Sequence, residues 1–182
     1  MAGDARELEQ LDYESGNKNI ILVGMMATGK STVGAILAEK LGYELVDLDQ
    51  VIVKTEGRSI AEIFAEDGEE YFRRVETSVL QRMLECEKKL ISTGGGAVLA
   101  PGNKALMLSK GHVVALTATE EEIIARVSGD QNRPLLAGNA EERVRRIMVE
   151  RQDAYSFAHY TVDTTGLSAA EVSQHILMHY RG

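Results

Sequence analysis

Residues Gly24 to Ser31, Gly-Met-Met-Ala-Thr-Gly-Lys-Ser, carry every fixed position of the phosphate loop G-x-x-x-x-G-K-[ST]. The chemistry this spacing serves is the binding of nucleotide phosphates. Backbone N–H groups at a helix start supply several donors at close range, and glycine lets the backbone approach without a Cβ in the way. Lys30 would place its ammonium on the β- and γ-phosphates, and the Ser31 hydroxyl would hold Mg²⁺. The flanks agree with the motif. Asn19–Val23 is a short apolar run that reads as a strand buried on both faces, and Val33, Ile36, Leu37, Ala38 and Leu41 recur at helical spacing up to a stop at Gly42.

Four other groups could do chemistry. Asp47 and Asp49 stand two apart at the end of the run Tyr43–Leu48; on a strand they share a face, where paired acids can organise Mg²⁺ and accept a proton from a hydroxyl. A solvated strand end is the plainer alternative. Arg73 and Glu76 are three apart on one helix and form either a surface ion pair or an arginine fork for a substrate carboxylate, held by the glutamate. Gly94-Gly95-Gly96 directly after a strand is costly in backbone entropy; it is either a flexible turn or a place where another group approaches closely. Arg126, Arg133, Arg143, Arg145, Arg146 and Arg151 crowd one segment; Arg133, in a loop, and Arg151 are the candidates for anion binding, and the rest suit a solvated face.

The elements that must position these groups alternate. Strands are predicted at 19–23, 43–48, 89–93, 112–116 and 161–164. Helices are predicted after the phosphate loop, over Gln50–Glu56, from Ser59 to Gly68, over Glu69–Leu84, from Pro101 to Gly111, from a Thr119/Glu122 capping box, after Asn139 as cap, and from a Ser168/Glu171 capping box. Alternation of this kind gives an α/β fold, a parallel sheet of about five strands with helices on both faces in three layers. Ser128–Asn139 is a long loop with Gly, Asp, Asn and Pro, the expected mobile lid. Met1–Lys18 reads as a flexible extension, and 19–182 as a single domain with its substrate-binding region at about 49–84.

With 182 residues, 44% hydrophobic and 26% charged, the chain suits one globular domain. A net charge of −8 argues against nucleic acid or an anionic membrane as partner, so an anionic substrate needs local basic groups. No apolar run is long enough to span a bilayer and no signal-peptide pattern opens the chain, which predicts a cytoplasmic protein. The lone cysteine, Cys86, reads as a partly buried structural thiol. His175 and His179 have metal-ligand spacing on the last helix but no third ligand, and an ordinary surface pair is the expectation.

Taken together, GMMATGKST, the DLD of Asp47–Asp49, GRSIAEIF at Gly57–Phe64, FRRVE at Phe72–Glu76, STGGG at Ser92–Gly96, RPLL at Arg133–Leu136 and the R-x-x-x-Y of Arg151 and Tyr155 follow the order found in shikimate kinases, which the chain resembles from about Asn19 to Gly182. The resemblance implies a nucleoside-monophosphate-kinase-like P-loop fold and a monomer that phosphorylates the 3-hydroxyl of shikimate with ATP and Mg²⁺. It implies that Ala27, Thr28, Gly29, Lys30, Ser31 and Thr32 hold the ATP phosphates, with Ser31 and Asp47 at the metal. Asp49 binds the substrate hydroxyls and is the candidate base, catalytic with Lys30 and Arg133. Arg73, Gly94, Gly95, Gly96 and Arg151 hold shikimate, Glu76 orients an arginine, Arg133 closes over the phosphates and Arg126 sits on the adenine side. Ala27 stands where the family usually has glycine; alanine fits unless the backbone there needs positive φ.

Two rivals share the phosphate loop. A kinase for another hydroxy acid, such as gluconate, is not expected to combine DLD, FRRVE and GGG. A catalytically silent nucleotide-binding module is expected to have lost Asp49, Arg133 or Arg151, and all three are present.

Overall fold

The computed structural model describes residues 18–129 and 139–181. Five parallel strands, β1 (Asn19–Gly24), β2 (Glu44–Asp47), β3 (Lys89–Ser92), β4 (Gly111–Thr117) and β5 (Tyr160–Asp163), lie in the order β2-β3-β1-β4-β5. β1 is central because all six of its residues are buried, and only a strand covered on both faces uses such a continuous apolar run. Its side chains alternate between two cores. Ile20 and Leu22 face Val33, Leu37, Val172 and Ile176; Ile21 and Val23 face Leu48, Ile52, Leu80 and Met107. Each buried Ile or Leu of this kind contributes roughly 1.5–3 kcal/mol.

The helices that supply those faces are α1 (Lys30–Leu41) and α7 (Ala169–Arg181) on one side. On the other are α2 (Leu48–Glu56), α3 (Ile60–Met83), α4 (Asn103–Lys110), α5 (Glu120–Ser128) and α6 (Ala140–Glu150). This is the expected three-layer architecture. After β1 the chain moves out to β2; after β3 it crosses to β4 on the far side of β1. The direction of winding therefore reverses between β1 and β3. The loops leaving their carboxyl ends, the phosphate loop and the glycine triplet, border one crevice, where open α/β sheets bind ligands.

Local differences from the sequence expectations have local causes. The second strand stops at Asp47, whose carboxylate caps α2 by accepting from the Gln50 N–H at 3.2 Å; Leu48 and Asp49 already belong to that helix. The shared strand face of Asp47 and Asp49 is thus replaced by a cap and a first-turn position. The two helices expected on either side of Gly68 are present within α3, joined at Gly68, where φ 82° and ψ 176° leave the helical region and suit only glycine. Pro101 precedes α4, which starts at Asn103 after a left-handed Gly102. Thr119 accepts from Glu122 N–H, but the reciprocal half of its box is missing because Glu122 is drawn to Arg126 at 3.0 Å. The box of Ser168 and Glu171 is complete, whereas Asn139 makes no side-chain cap.

Cys86 is exposed rather than partly buried, because α3 ends before it and the turn carries it outward. His179 stacks on Tyr160 at 3.8 Å and lies 5.4 Å from His112, which stacks in turn on His159, so it serves a ring cluster rather than a pair with His175. The extension up to residue 17 and lid positions 130–138, Arg133 among them, lie outside the described residues.

Candidate active site

The phosphate loop leaves β1 at Gly24 and runs into α1. Thr28, almost fully buried, turns its hydroxyl inward and donates to the Met25 carbonyl at 2.7 Å. Its side chain therefore stiffens the loop, leaving its backbone to face a ligand. The Lys30 ammonium donates to the carbonyls of Gly24 (2.8 Å) and Met25 (2.7 Å), so the charge sits folded over the loop. Ser31 and Thr32 open onto a cleft of about 430 Å³, which Ala27, Gly29, Lys30, Asp47, Asp49, Gly94, Gly95 and Arg126 also line.

Ala27 adopts φ 61°. That is the condition under which its methyl matters, since a Cβ in this region costs roughly 1–2 kcal/mol. Ala27→Gly is expected to relieve that strain and lose part of the gain to unfolded-chain entropy. A net stabilisation below about 1 kcal/mol should appear as a small rise in melting temperature, and a fall would contradict the strain. The loop is held in this shape from outside. Arg126 donates to the Ala27 carbonyl (3.0 Å), the Thr164 hydroxyl (3.1 Å) and the Thr164 carbonyl (3.2 Å), and pairs with Glu122. It also borders a second recess of about 230 Å³ with Leu167 and Val172.

Across the cleft, three candidate side chains converge on the glycine triplet. A Cβ added to Gly94 would lie 3.0 Å from Asp49 Oδ1; one on Gly95 would lie 3.2 Å from Arg151 Nη1; one on Gly96 would lie 2.8 Å from Arg73 Nη1. Close approach, not flexibility, explains the three glycines. Glu76 is 1% exposed and accepts from Arg73 Nη1 at 2.9 Å, which removes the surface-pair reading, and the Arg73 guanidinium lies 5.2 Å from the Phe72 ring. Arg151 closes α6, where its N–H meets the Ile147 carbonyl.

The charges in this group sense one another. Burial raises the Asp49 carboxyl above its ordinary range and Asp47 adds to the rise, while Lys30 and Arg73 oppose it. Burial likewise raises Glu76, with Arg73 opposing. Five charged groups from four elements thus form one electrostatic unit beside the phosphate loop. A half-buried carboxylate with a raised pKa, facing the Lys30 ammonium and the Arg73 guanidinium, can take a proton from a hydroxyl while the cations hold anions.

Sequence reasoning gave Tyr155 a motif but no partner. Its hydroxyl donates to the Gly95 carbonyl at 2.6 Å. The spacing of Arg151 and Tyr155 was the available signal; the third member, 60 residues away, left no trace in the pattern.

The family model for shikimate kinase matches residues 26–181. A shikimate kinase from Geobacter metallireducens is 44% identical over 92% of this chain and 94% of its own. One from Thermodesulfovibrio yellowstonii is 40% identical over 90% and 95%. The solved shikimate kinase from Acinetobacter baumannii in complex with shikimate superimposes with a TM-score of 0.82 at 39% identity, covering 88% of this chain and 91% of that one. A gluconokinase from Sinorhizobium meliloti, at TM-score 0.57 and 16% identity, shares the fold alone.

Proposed function

The chain belongs to the shikimate kinase family, and on that premise we propose that its cleft grips two anions at once, the phosphates of ATP on the loop and the carboxylate of shikimate on two arginines. The enzyme transfers the γ-phosphoryl group of ATP to the 3-hydroxyl of shikimate. The observation that carries the assignment of roles is the approach of Asp49, Arg151 and Arg73 to Gly94, Gly95 and Gly96 in turn; Asp49, Gly94 and Gly95 line the cleft with Lys30, and the two arginines reach the triplet from neighbouring recesses.

The geometry supports the following roles. The amides of Ala27–Thr32 cradle the phosphates, and the Lys30 ammonium leaves its two carbonyls for phosphate oxygens. Arg73, fixed by Glu76, and Arg151 hold the carboxylate at the far side of the triplet. The ring then presents its hydroxyls to Asp49, whose half-buried carboxylate orients the acceptor and takes its proton as the phosphorus–oxygen bond forms. Adenine occupies the recess beside Arg126. Arg133 acts from the lid. The donor set of Ser31 hydroxyl and Asp47 carboxylate, all oxygen, fits a small hard cation, and these residues would hold Mg²⁺, which when bound neutralises phosphate charge. A monomer is our reading of the assembly, from the family resemblance. Cys86 is an exposed free thiol, which supports the cytoplasm.

The test is a coupled ADP-release assay with shikimate, gluconate and other hydroxy acids. Turnover is expected with shikimate. Turnover with another acid alone would overturn the substrate, and ATP binding without transfer to any acceptor would leave a silent module.

A further inference from the structure

Arg151 and Gly95 belong to different segments, one at the end of α6 and one after β3, and something must set their separation. Arg151 stands at the end of α6, followed by a run of turns over 151–157 in place of a helix. Turns of this kind are weakly held by their own backbone. Tyr155 ties this run down. It is buried at 8% exposure among the core side chains, and its hydroxyl donates to the Gly95 carbonyl at 2.6 Å, short even for an O–H donor. The Arg151 guanidinium lies against the Gly95 backbone, where a Cβ would stand 3.2 Å from its Nη1, and its positive charge acts on the nearby phenol. Arg151, Tyr155 and Met25 also line a small recess behind the phosphate loop, so nothing but Tyr155 bridges from the turn run to the triplet at this point among the described contacts.

Resting on the reading of Arg151 as a carboxylate ligand, we infer that Tyr155 is a positioning residue for substrate recognition, its hydroxyl locking the Arg151 guanidinium and the Gly95 backbone into the one separation that fits a carboxylate of the ring acid. Burial keeps the phenol protonated through the neutral range, as a donor to a carbonyl requires. The bond to Gly95 fixes the turn run that carries Arg151, so one hydroxyl sets where the guanidinium stands against the triplet.

Tyr155→Phe keeps the ring and removes only the bridge. It is expected to raise the KM for shikimate about tenfold, the scale of one hydrogen bond in a charged network, with kcat changed less than about threefold and the KM for ATP unchanged. Arg151→Lys is expected to raise the same KM more strongly, because a single ammonium cannot make the paired contact. The double variant should be no worse than Arg151→Lys alone, since the hydroxyl acts through the guanidinium. Additive losses, a parallel rise in the KM for ATP, or an unchanged shikimate KM in Tyr155→Phe while Arg151→Lys is impaired would each overturn the inference and leave the carboxylate role standing. An unchanged shikimate KM in Arg151→Lys would overturn both.

Discussion

Replacing Asp49 by asparagine is expected to lower kcat by roughly two to four orders of magnitude, the range general-base catalysis supplies, while ATP affinity stays within about threefold. The substitution is nearly isosteric and keeps one oxygen facing Gly94, so the crevice should not collapse. What disappears is the proton acceptor. The carboxyl of Asp49 lies above its ordinary range because it is half-buried and close to Asp47. Below its pKa it is protonated and cannot act, so wild-type kcat/KM should fall on acidification at a pH higher than an exposed aspartate would give. In Asp49→Asn that acid limb should vanish from the residual rate. Steady-state kinetics across pH, with nucleotide binding measured separately, decides the matter. Equal losses in turnover and ATP binding would reduce Asp49 to a structural residue.

Arg73→Met should be costly in two ways. It removes a guanidinium from the carboxylate site, for which a rise of about a hundredfold in the KM for shikimate is the expected scale. It also strands Glu76, which is 1% exposed and relies on Arg73, itself 19% exposed. Breaking a buried pair from one side costs about 3–5 kcal/mol, and the partial exposure of Arg73 places this case near the lower figure. The sign of the pH dependence follows. Burial already raises the Glu76 carboxyl, and loss of the neighbouring cation raises it further. A carboxyl whose folded pKa exceeds its unfolded one loses stability as pH rises through that window. The deficit of the variant against wild type should therefore be largest at neutral pH and shrink towards pH 5, as thermal melts would show. A deficit independent of pH would mean that Glu76 is neutral or otherwise paired.

Contiguous features were legible before the structure. The phosphate loop needs only local spacing, and β1 needs only an apolar run; both fall where their residues put them. The glycine triplet was legible as a close approach but not as to what approaches, because Asp49, Arg73 and Arg151 reach it from other elements. Asp49 was expected beside the phosphate loop, where it stands, but on the wrong element: the sequence DLD does not show that the Asp47 carboxylate turns back to cap, ending the strand one residue early. Arg73 and Glu76 stayed open between a surface pair and an arginine fork because i,i+3 spacing is blind to burial. Ala27 could be flagged by residue type, but its φ is set by the turn between β1 and α1 and braced by Arg126 from 99 residues away. Cys86 was misjudged because the sequence does not show that α3 stops before it and that the following turn carries it outward.

The triplet has a consequence for drug resistance. On the proposed roles, a compound that imitates the ring acid sits against Gly94–Gly96, and adding bulk to that socket is the simplest escape from it. Each added methyl would crowd Asp49, Arg151 or Arg73 in turn, so under those roles such an escape is expected to cost the enzyme activity as well.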